Sequence, residues 1–361
     1  MTVNFLATLD APAWDPETDE VLHCRDVIQE THDVRTFVFT APEARRFLFR
    51  PGQFLTLVLP VGGEEINRCY TVSSSPSRPY SIAITVKRVP GGVISNWLHD
   101  TMRVGMDVRA LGPMGDFSCD RSPARKFLFL SAGSGITPMM SMSRFLLDTQ
   151  SGRDIAFVHS ARSPVDLIFR RELAAMEQAS SLFRTTCLCE GDAPFEKWPG
   201  HKGRLNRAVL GQAVPDFMER EVYVCGPAPY MQGVKAMLAE AGFDMRQYYE
   251  ESFDFGTLLE QEPEVAQVTQ ELEDAAYTIS FTKSRREIAC PSGTPVLSAA
   301  RAAGMRLPAS CAKGMCGTCK CRLVSGEVDM QHQGGIRQRE IDQGFILLCC
   351  SRPLSDLVVE R

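Results

Sequence analysis

The sequence predicts a multidomain chain of three units: an all-β unit, an α/β unit with a parallel sheet, and a small cysteine-rich module at the C-terminal end. Three observations carry this. Alternating, β-prone runs separated by Gly and Pro fill the first third. Short apolar strands alternate with helical segments in the middle third. Seven of the 13 cysteines fall between Cys290 and Cys350.

A chain of 361 residues has room for two or three domains of ordinary size. Hydrophobic residues make up 44% and charged residues 23%, as in well-packed globular proteins. The net charge of −5 and the lack of any Lys/Arg-rich block give a nucleic-acid role no electrostatic support. No apolar run approaches the ~20 residues of a membrane-spanning helix. The first 16 residues carry no Lys or Arg and no sustained apolar stretch, unlike a signal peptide. The expected location is therefore cytoplasmic, where structural disulfides are rare. Clustered cysteines then read as metal ligands or redox groups.

In the first unit, Val34-Arg35-Thr36-Phe37-Val38-Phe39 and Phe54-Leu55-Thr56-Leu57-Val58-Leu59 read as strands of an antiparallel barrel or sandwich. The second unit begins near residues 121–125. Strands are expected at 127–130, 155–159, 185–188 and 222–225, and helices at 139–147, 169–178 and 228–241. Met139, Met140 and Met142 read as core filler. His159 reads as a satisfied strand-end histidine, and Arg170, Arg171 and Glu172 as a solvated helix face. From Gln247 to Thr282 there is no Lys or Arg, and the acidic stretch around Pro263 reads as a self-repelling linker, with a short helix at 265–272. Beyond it, residues 278–361 hold 12 Lys and Arg against 7 Asp and Glu, a net of +5; the remainder holds 27 against 37, a net of −10. Such opposite charge would favour docking of the module on the rest of the chain, or reflect surface composition alone.

The module carries the strongest chemical signal. Cys311-Ala-Lys-Gly-Met-Cys316-Gly-Thr-Cys319 followed by a distant fourth cysteine has the C-x4-C-x2-C spacing of plant-type [2Fe–2S] sites. Four thiolates must converge on two irons from a short loop, and Gly314 and Gly317 let the backbone pass close by. A four-cysteine zinc site is the alternative, although such sites usually use two separated C-x2-C pairs. Ile346-Leu-Leu-Cys349-Cys350-Ser-Arg-Pro353 resembles the ending of plant-type ferredoxins, whose last ligand lies four residues before a proline. The resemblance selects Cys349 and leaves Cys321 and Cys350 as buried thiols beside the cluster.

Three ordered motifs mark the first unit. Arg68-Cys69-Tyr70-Thr71 offers a guanidinium fork for a phosphate, an aromatic ring and a hydroxyl. Val86-Lys87 leads to Gly91-Gly92-Val93-Ile94-Ser95, where Ser95 at an expected helix start would leave backbone N–H groups free for a pyrophosphate. Gly112-Pro113-Met114-Gly115-Asp116-Phe117 closes the series. In the second unit, strand 127–130 runs into Gly133-Ser134-Gly135-Ile136-Thr137-Pro138. This is a glycine-rich loop at a helix start, but not the G-x-G-x-x-G dinucleotide fingerprint. Cys225-Gly226-Pro227 follows a later strand, and Tyr249-Glu250-Glu251-Ser252-Phe253 ends the unit.

Together these motifs resemble the ferredoxin–NADP reductase superfamily, extended by a C-terminal plant-type ferredoxin. In that order of domains the chain is similar to the reductase components of Rieske-type oxygenase systems, in particular those that N-demethylate glycine betaine. The resemblance implies an antiparallel β-barrel FAD domain (20–121) after an N-terminal extension (1–19). It further implies an α/β parallel-sheet NAD(P) domain (122–257), an acidic linker (258–276) and an α+β, β-grasp [2Fe–2S] domain (277–361). Arg68, Cys69, Tyr70, Thr71, Val86, Lys87, Gly92, Val93, Ser95 and Phe253 would meet FAD. Gly133, Gly135, Ile136, Thr137, Pro138, Cys225, Gly226 and Pro227 would meet the nucleotide. Thr71, Cys225 and Glu251 would lie near the flavin and nicotinamide, with no residue acting as general acid or base. Cys311, Cys316, Cys319 and Cys349 would hold the cluster.

Arg162 follows the second α/β strand, where it would meet a 2′-phosphate of NADPH, stack on adenine, or simply face solvent. Reductases that feed oxygenases mostly use NADH, so NADH is the implied donor. Two electrons would enter from NADH and leave singly to a Rieske-type oxygenase component. Neither a Rieske pair nor a mononuclear iron site is evident in this chain, so oxygen activation is expected on the partner. The alternatives are a reductase for the hybrid-cluster protein and a flavin/iron–sulfur redox sensor.

Overall fold

The structure, a computed structural model, describes residues 11–253, 276–305, 307, 309 and 313–361. Cys311, residues 258–275 of the acidic linker and its expected short helix lie outside the described residues, and Ala276, expected in the linker, already belongs to a strand. No helix among the described residues is long and apolar enough to cross a membrane.

The first domain is an antiparallel six-stranded sheet of β1 (Val21–Thr31), β2 (Val34–Thr40), β3 (Phe54–Val61), β4 (Glu64–Thr71), β5 (Ile82–Lys87) and β6 (Asp107–Met114). Its order is β4-β3-β6-β1-β2-β5, and a Val72–Ile84 bridge joins the two edges into a barrel. The β-branched and aromatic side chains that favour strands here also fill the interior: Phe37, Phe39, Ile82 and Ile84 are fully buried, together with Leu55 and Leu57. Helix α1 (Val93–Thr101) packs Ile94 and Leu98 against that core.

Residues 11–19, for which the sequence suggested no role, belong to the barrel. Trp14 is buried, packs on Phe47, and donates from its indole Nε1 to Gly112 O at 2.9 Å. Satisfying that N–H is what allows the large ring to be buried.

The second domain holds β7 (Lys126–Ala132), α2 (Ile136–Asp148), β8 (Asp154–Ala161), α3 (Arg170–Ala179), β9 (Phe183–Cys189), β10 (His201–Lys202), α4 (Arg207–Ala213), β11 (Glu221–Gly226), α5 (Ala228–Glu240) and β12 (Tyr248–Ser252). All six strands are parallel, in the order β10-β9-β8-β7-β11-β12. Both sheet faces are covered, which explains consecutive apolar positions such as 127–130 and 155–158. Phe127, Phe129 and Phe157 enter one core, and Leu128, Leu130 and Val158 the other.

The third domain is a mixed sheet in the order β14-β13-β19-β15-β17, from β13 (Ala276–Phe281), β14 (Arg286–Pro291), β15 (Lys320–Ser325), β17 (Phe345–Leu347) and β19 (Leu357–Glu360). The β13–β19 pair is parallel and the other pairs antiparallel. Helix α6 (Val296–Ala302) inserts Val296, Leu297 and Ala300 into its core. A two-stranded ribbon of β16 (Val328–Met330) and β18 (Ser351–Pro353) and the short helix α7 (Gln338–Asp342) complete this α+β domain.

The first two domains are clamped. Ser141 on α2 donates to Ser74 O at 2.7 Å, and Arg78 grips Asp148 through two nitrogens. Glu172, expected on a solvated face, instead pairs with Arg144 through both oxygens, and Arg144 also reaches Ser73 O. The sequence reading failed here because the partner comes from a different helix.

Candidate active site at the meeting of three domains

One large cavity, about 1380 Å³, lies between the barrel and the α/β domain. That exceeds the roughly 300–1,000 Å³ common for a single small ligand. The end of β4 supplies Arg68, Cys69, Tyr70 and Thr71, and the end of β5 supplies Val86 and Lys87. Gly92, Val93 and Ser95 line it from the start of α1. The helix begins at Val93, two residues before the serine suspected of starting it. No side chain caps it, and Ser95 Oγ instead accepts from Val89 N at 3.1 Å. Its uncapped N-terminus at the cavity wall is suited to a phosphate.

Glu251 and Phe253 form the opposite wall at the end of β12. Thr71 Oγ1 donates to Glu251 Oε2 at 3.3 Å across the domain boundary. Burial pushes the Glu251 carboxyl up to about 8, against the opposing effect of that hydrogen bond. Cys225 is fully buried beside it, and burial followed by the Glu251 charge drives its thiol well above the ordinary value. Cys225 therefore stays a neutral thiol.

The two glycine-containing turns of the α/β domain meet at the C-terminal ends of β7 and β11. These adjacent strands are where the chain order reverses direction across the sheet, the position at which open α/β sheets bind ligands. A Cβ on Gly135 would lie 2.3 Å from Cys225 O, so only glycine lets the two turns touch. Of this set, Thr137 reaches the cavity; Gly133, Gly135, Ile136, Pro138, Cys225, Gly226 and Pro227 stand behind its lining. His159 is only half satisfied. Its Nδ1 meets Ser131 Oγ at 2.8 Å while its buried Nε2 lacks a partner, and burial lowers its pKa to about 4.

Arg162 lies outside the cavity lining. Its guanidinium meets Asp166 at 2.5 Å and Asp33 of the barrel at 3.5 Å, and Lys87 joins Asp33 at 3.6 Å. Burial opposes ionisation of Asp166, yet Ser163 and Arg162 hold it below the usual carboxylate range.

The third domain brings its cysteine loop to the rim of the same cavity. Cys316, Cys319 and Cys349 are buried together. Gly314 N donates to Cys349 Sγ at 3.3 Å, and hydrogen bonds from Cys319, Cys350 and that N–H hold the Cys349 thiol below its ordinary value, while the same contact pushes Cys319 up. Three clustered, buried thiols, one of them met by a backbone N–H, fit a [2Fe–2S] cluster. Gly317 sits at φ +68°, and a Cβ there would lie 2.6 Å from Gly335 O. Cys321 faces the domain core, and Cys350 Sγ lies 3.7 Å from Leu347 O.

Lys313, Met315 and Gln333 line the cavity beside the barrel residues. No role for these three was legible in the sequence. Their only signal was position, inside or soon after the cysteine motif.

Three family descriptions match the chain in the order of its domains. "Oxidoreductase FAD-binding domain" covers residues 22–119, "Oxidoreductase NAD-binding domain" 129–236, and "2Fe-2S iron-sulfur cluster binding domain" 280–354. Fold and site thus define an oxidoreductase whose cofactors are FAD, a nicotinamide nucleotide and a [2Fe–2S] cluster. The glycine betaine monooxygenase reductase subunit of Pseudomonas aeruginosa is 44% identical over the full length of both chains. The stachydrine N-demethylase reductase subunit of Rhizobium meliloti is 40% identical over 94% of this chain and 96% of its own. The solved phthalate dioxygenase reductase, described as a modular structure for electron transfer from pyridine nucleotides to [2Fe–2S], superposes with a TM-score of 0.57. It is 26% identical and covers 96% of this chain and 100% of its own. The chain belongs to this family of flavin- and iron–sulfur-containing reductases.

Proposed function

We propose that this chain is the reductase subunit of a two-component, Rieske-type oxygenase system that N-demethylates glycine betaine. The full-length similarity to glycine betaine monooxygenase reductase subunits supports the substrate pathway. The carrying observation for the chemistry is that all three domains line one cavity.

Bound FAD and the cluster supply the redox chemistry, accepting two electrons together and passing them on singly. Arg68 and the N-terminus of α1 would hold the flavin phosphates, with Tyr70 offering a ring and Thr71 a hydroxyl to the flavin. Gly133, Gly135 and Pro138 would shape the loop for the nucleotide phosphates, with Ile136 and Thr137 beginning the helix. Cys225 and Glu251 would lie near the nicotinamide, neutral and without proton transfer to substrate. Cys311, Cys316, Cys319 and Cys349 would hold the cluster. Arg162 is already bound to Asp166 and faces Asp33, which Lys87 also meets, so a 2′-phosphate would compete with two carboxylates for cations they already hold. That favours NADH. The system works in the cytoplasm.

The test is formaldehyde release from glycine betaine with NADH, dioxygen, this protein and its candidate oxygenase partner. Release that needs every component and matches NADH consumed supports the proposal. Rapid NADH-dependent cytochrome c reduction without formaldehyde discards that partner. The hybrid-cluster protein is then the acceptor to try. A cluster that is reduced once and never turns over would instead mark a redox sensor.

A further inference from the structure

Arg337 belongs to the cluster domain, yet its side chain is spent on the barrel. Only 5% of it is exposed. Nε donates to Pro16 O at 2.7 Å, Nη1 to Glu20 Oε2 at 2.9 Å, and Nη2 to Asp19 O at 3.2 Å and Ala110 O at 2.9 Å. Arg339 adds a second contact to Glu20. A guanidinium fork that finds one carboxylate and three carbonyls is a fixed plug in a preformed socket, unlike a solvated surface pair.

The plug is rigidly joined to the cysteine loop. Glu340 Oε2 accepts from Arg337 N at 3.0 Å, while its Oε1 accepts from Lys320 Nζ at 2.6 Å. Lys320 directly follows Cys319. On the barrel side, Ala110 precedes Leu111, whose side chain borders Gly317.

We propose that Arg337 is a positioning residue for electron transfer: its insertion into the barrel socket fixes the cysteine loop at the rim of the flavin cavity. This rests on the reading of the chain as a flavin-to-cluster reductase. In the step it serves, one electron leaves the reduced flavin and one enters the oxidised cluster, with no bond made or broken.

Arg337→Ala and Glu20→Lys are compared with the wild-type holoprotein. The second variant leaves the cluster domain unaltered and sets a like charge against Arg337 and Arg339. In stopped-flow experiments with NADH, both reduce flavin at the wild-type rate. Cluster reduction falls about tenfold or more, the factor that about 1.4 kcal/mol of docking free energy carries. Arg337→Lys recovers part of it. Hydrogen exchange rises in peptides around Gly317 and residues 17–20 and is unchanged in the α/β domain. Wild-type cluster reduction and wild-type exchange in Arg337→Ala and Glu20→Lys overturn the role of Arg337 alone. A wild-type protein that reduces flavin but never its cluster overturns the reading beneath it.

Discussion

The side-chain amide of Asn67 donates to the backbone carbonyl of Gly317 at 2.9 Å, across 250 positions of sequence. Asn67 directly precedes Arg68, and Gly317 directly follows Cys316. One hydrogen bond therefore ties the strand that lines the flavin cavity to the loop that carries the cysteines. Asn67 is buried. Asn67→Ala removes the inter-domain donor to the Gly317 carbonyl, which keeps Lys320 N at 3.2 Å, at a cost of about 0.5–1.5 kcal/mol to domain docking. The expected outcome is slower cluster reduction with unchanged NADH-to-flavin reduction, read by stopped-flow absorbance at two wavelengths.

The adjacent cysteines near the C-terminal end make a sharp pair of variants. Cys349→Ser is expected to abolish the visible absorbance and electron paramagnetic resonance signal of the cluster while NADH still reduces the flavin. Cys350→Ser is expected to keep both signals. Iron content per chain checks each variant.

Arg68→Ala removes the cation among the β4 residues at the cavity wall. The protein should purify with less FAD, and its affinity for added FAD should fall about tenfold or more, as expected for loss of a charge-assisted bond worth about 1.5–3 kcal/mol. Flavin fluorescence on titration gives the answer.

The Arg162 network makes a prediction about nucleotide choice. Asp166→Ala removes the carboxylate that holds Arg162 and leaves the guanidinium available to a 2′-phosphate. The KM for NADPH should drop about fivefold, or about 1 kcal/mol, with little change for NADH. The double variant Asp166→Ala with Arg162→Ala should lose that effect.

Glu251 gives the apoprotein a pH-dependent weakness. A carboxyl whose folded pKa is raised binds its proton more tightly when folded, so stability falls as pH rises from the unfolded value toward about 8 and is flat above it. Each pH unit in that window costs up to about 1.4 kcal/mol, less for the partial exposure of this side chain. Glu251→Gln should raise the apoprotein Tm at pH 8.5 and leave it nearly unchanged at pH 5.

The legible parts of this chain were those whose signal is local. Phe37 and Phe39 report a strand because alternation is a property of neighbours. Cys316 and Cys319 point to a cluster-binding loop because both cysteines come from one turn. The strands of the α/β sheet extended one or two residues beyond their apolar cores, as with Lys126–Ala132 around residues 127–130. Trp14, Asn67 and Arg337 were illegible for the opposite reason. Each is an ordinary residue in its own segment, and its partner lies 98, 250 and more than 220 positions away, respectively. The pairing of Glu172 with Arg144 was missed in the same way.

Lys313, Met315 and Gln333 wall off one edge of the cavity with protein where solvent would otherwise stand. Dioxygen is small, apolar and a ready electron acceptor, and an open edge would admit it. On the proposed function, the loop that would pass electrons outward would also insulate them from the medium. Any change that lifts it should appear first as a leak: reducing equivalents consumed, peroxide formed, and the intended partner left oxidised.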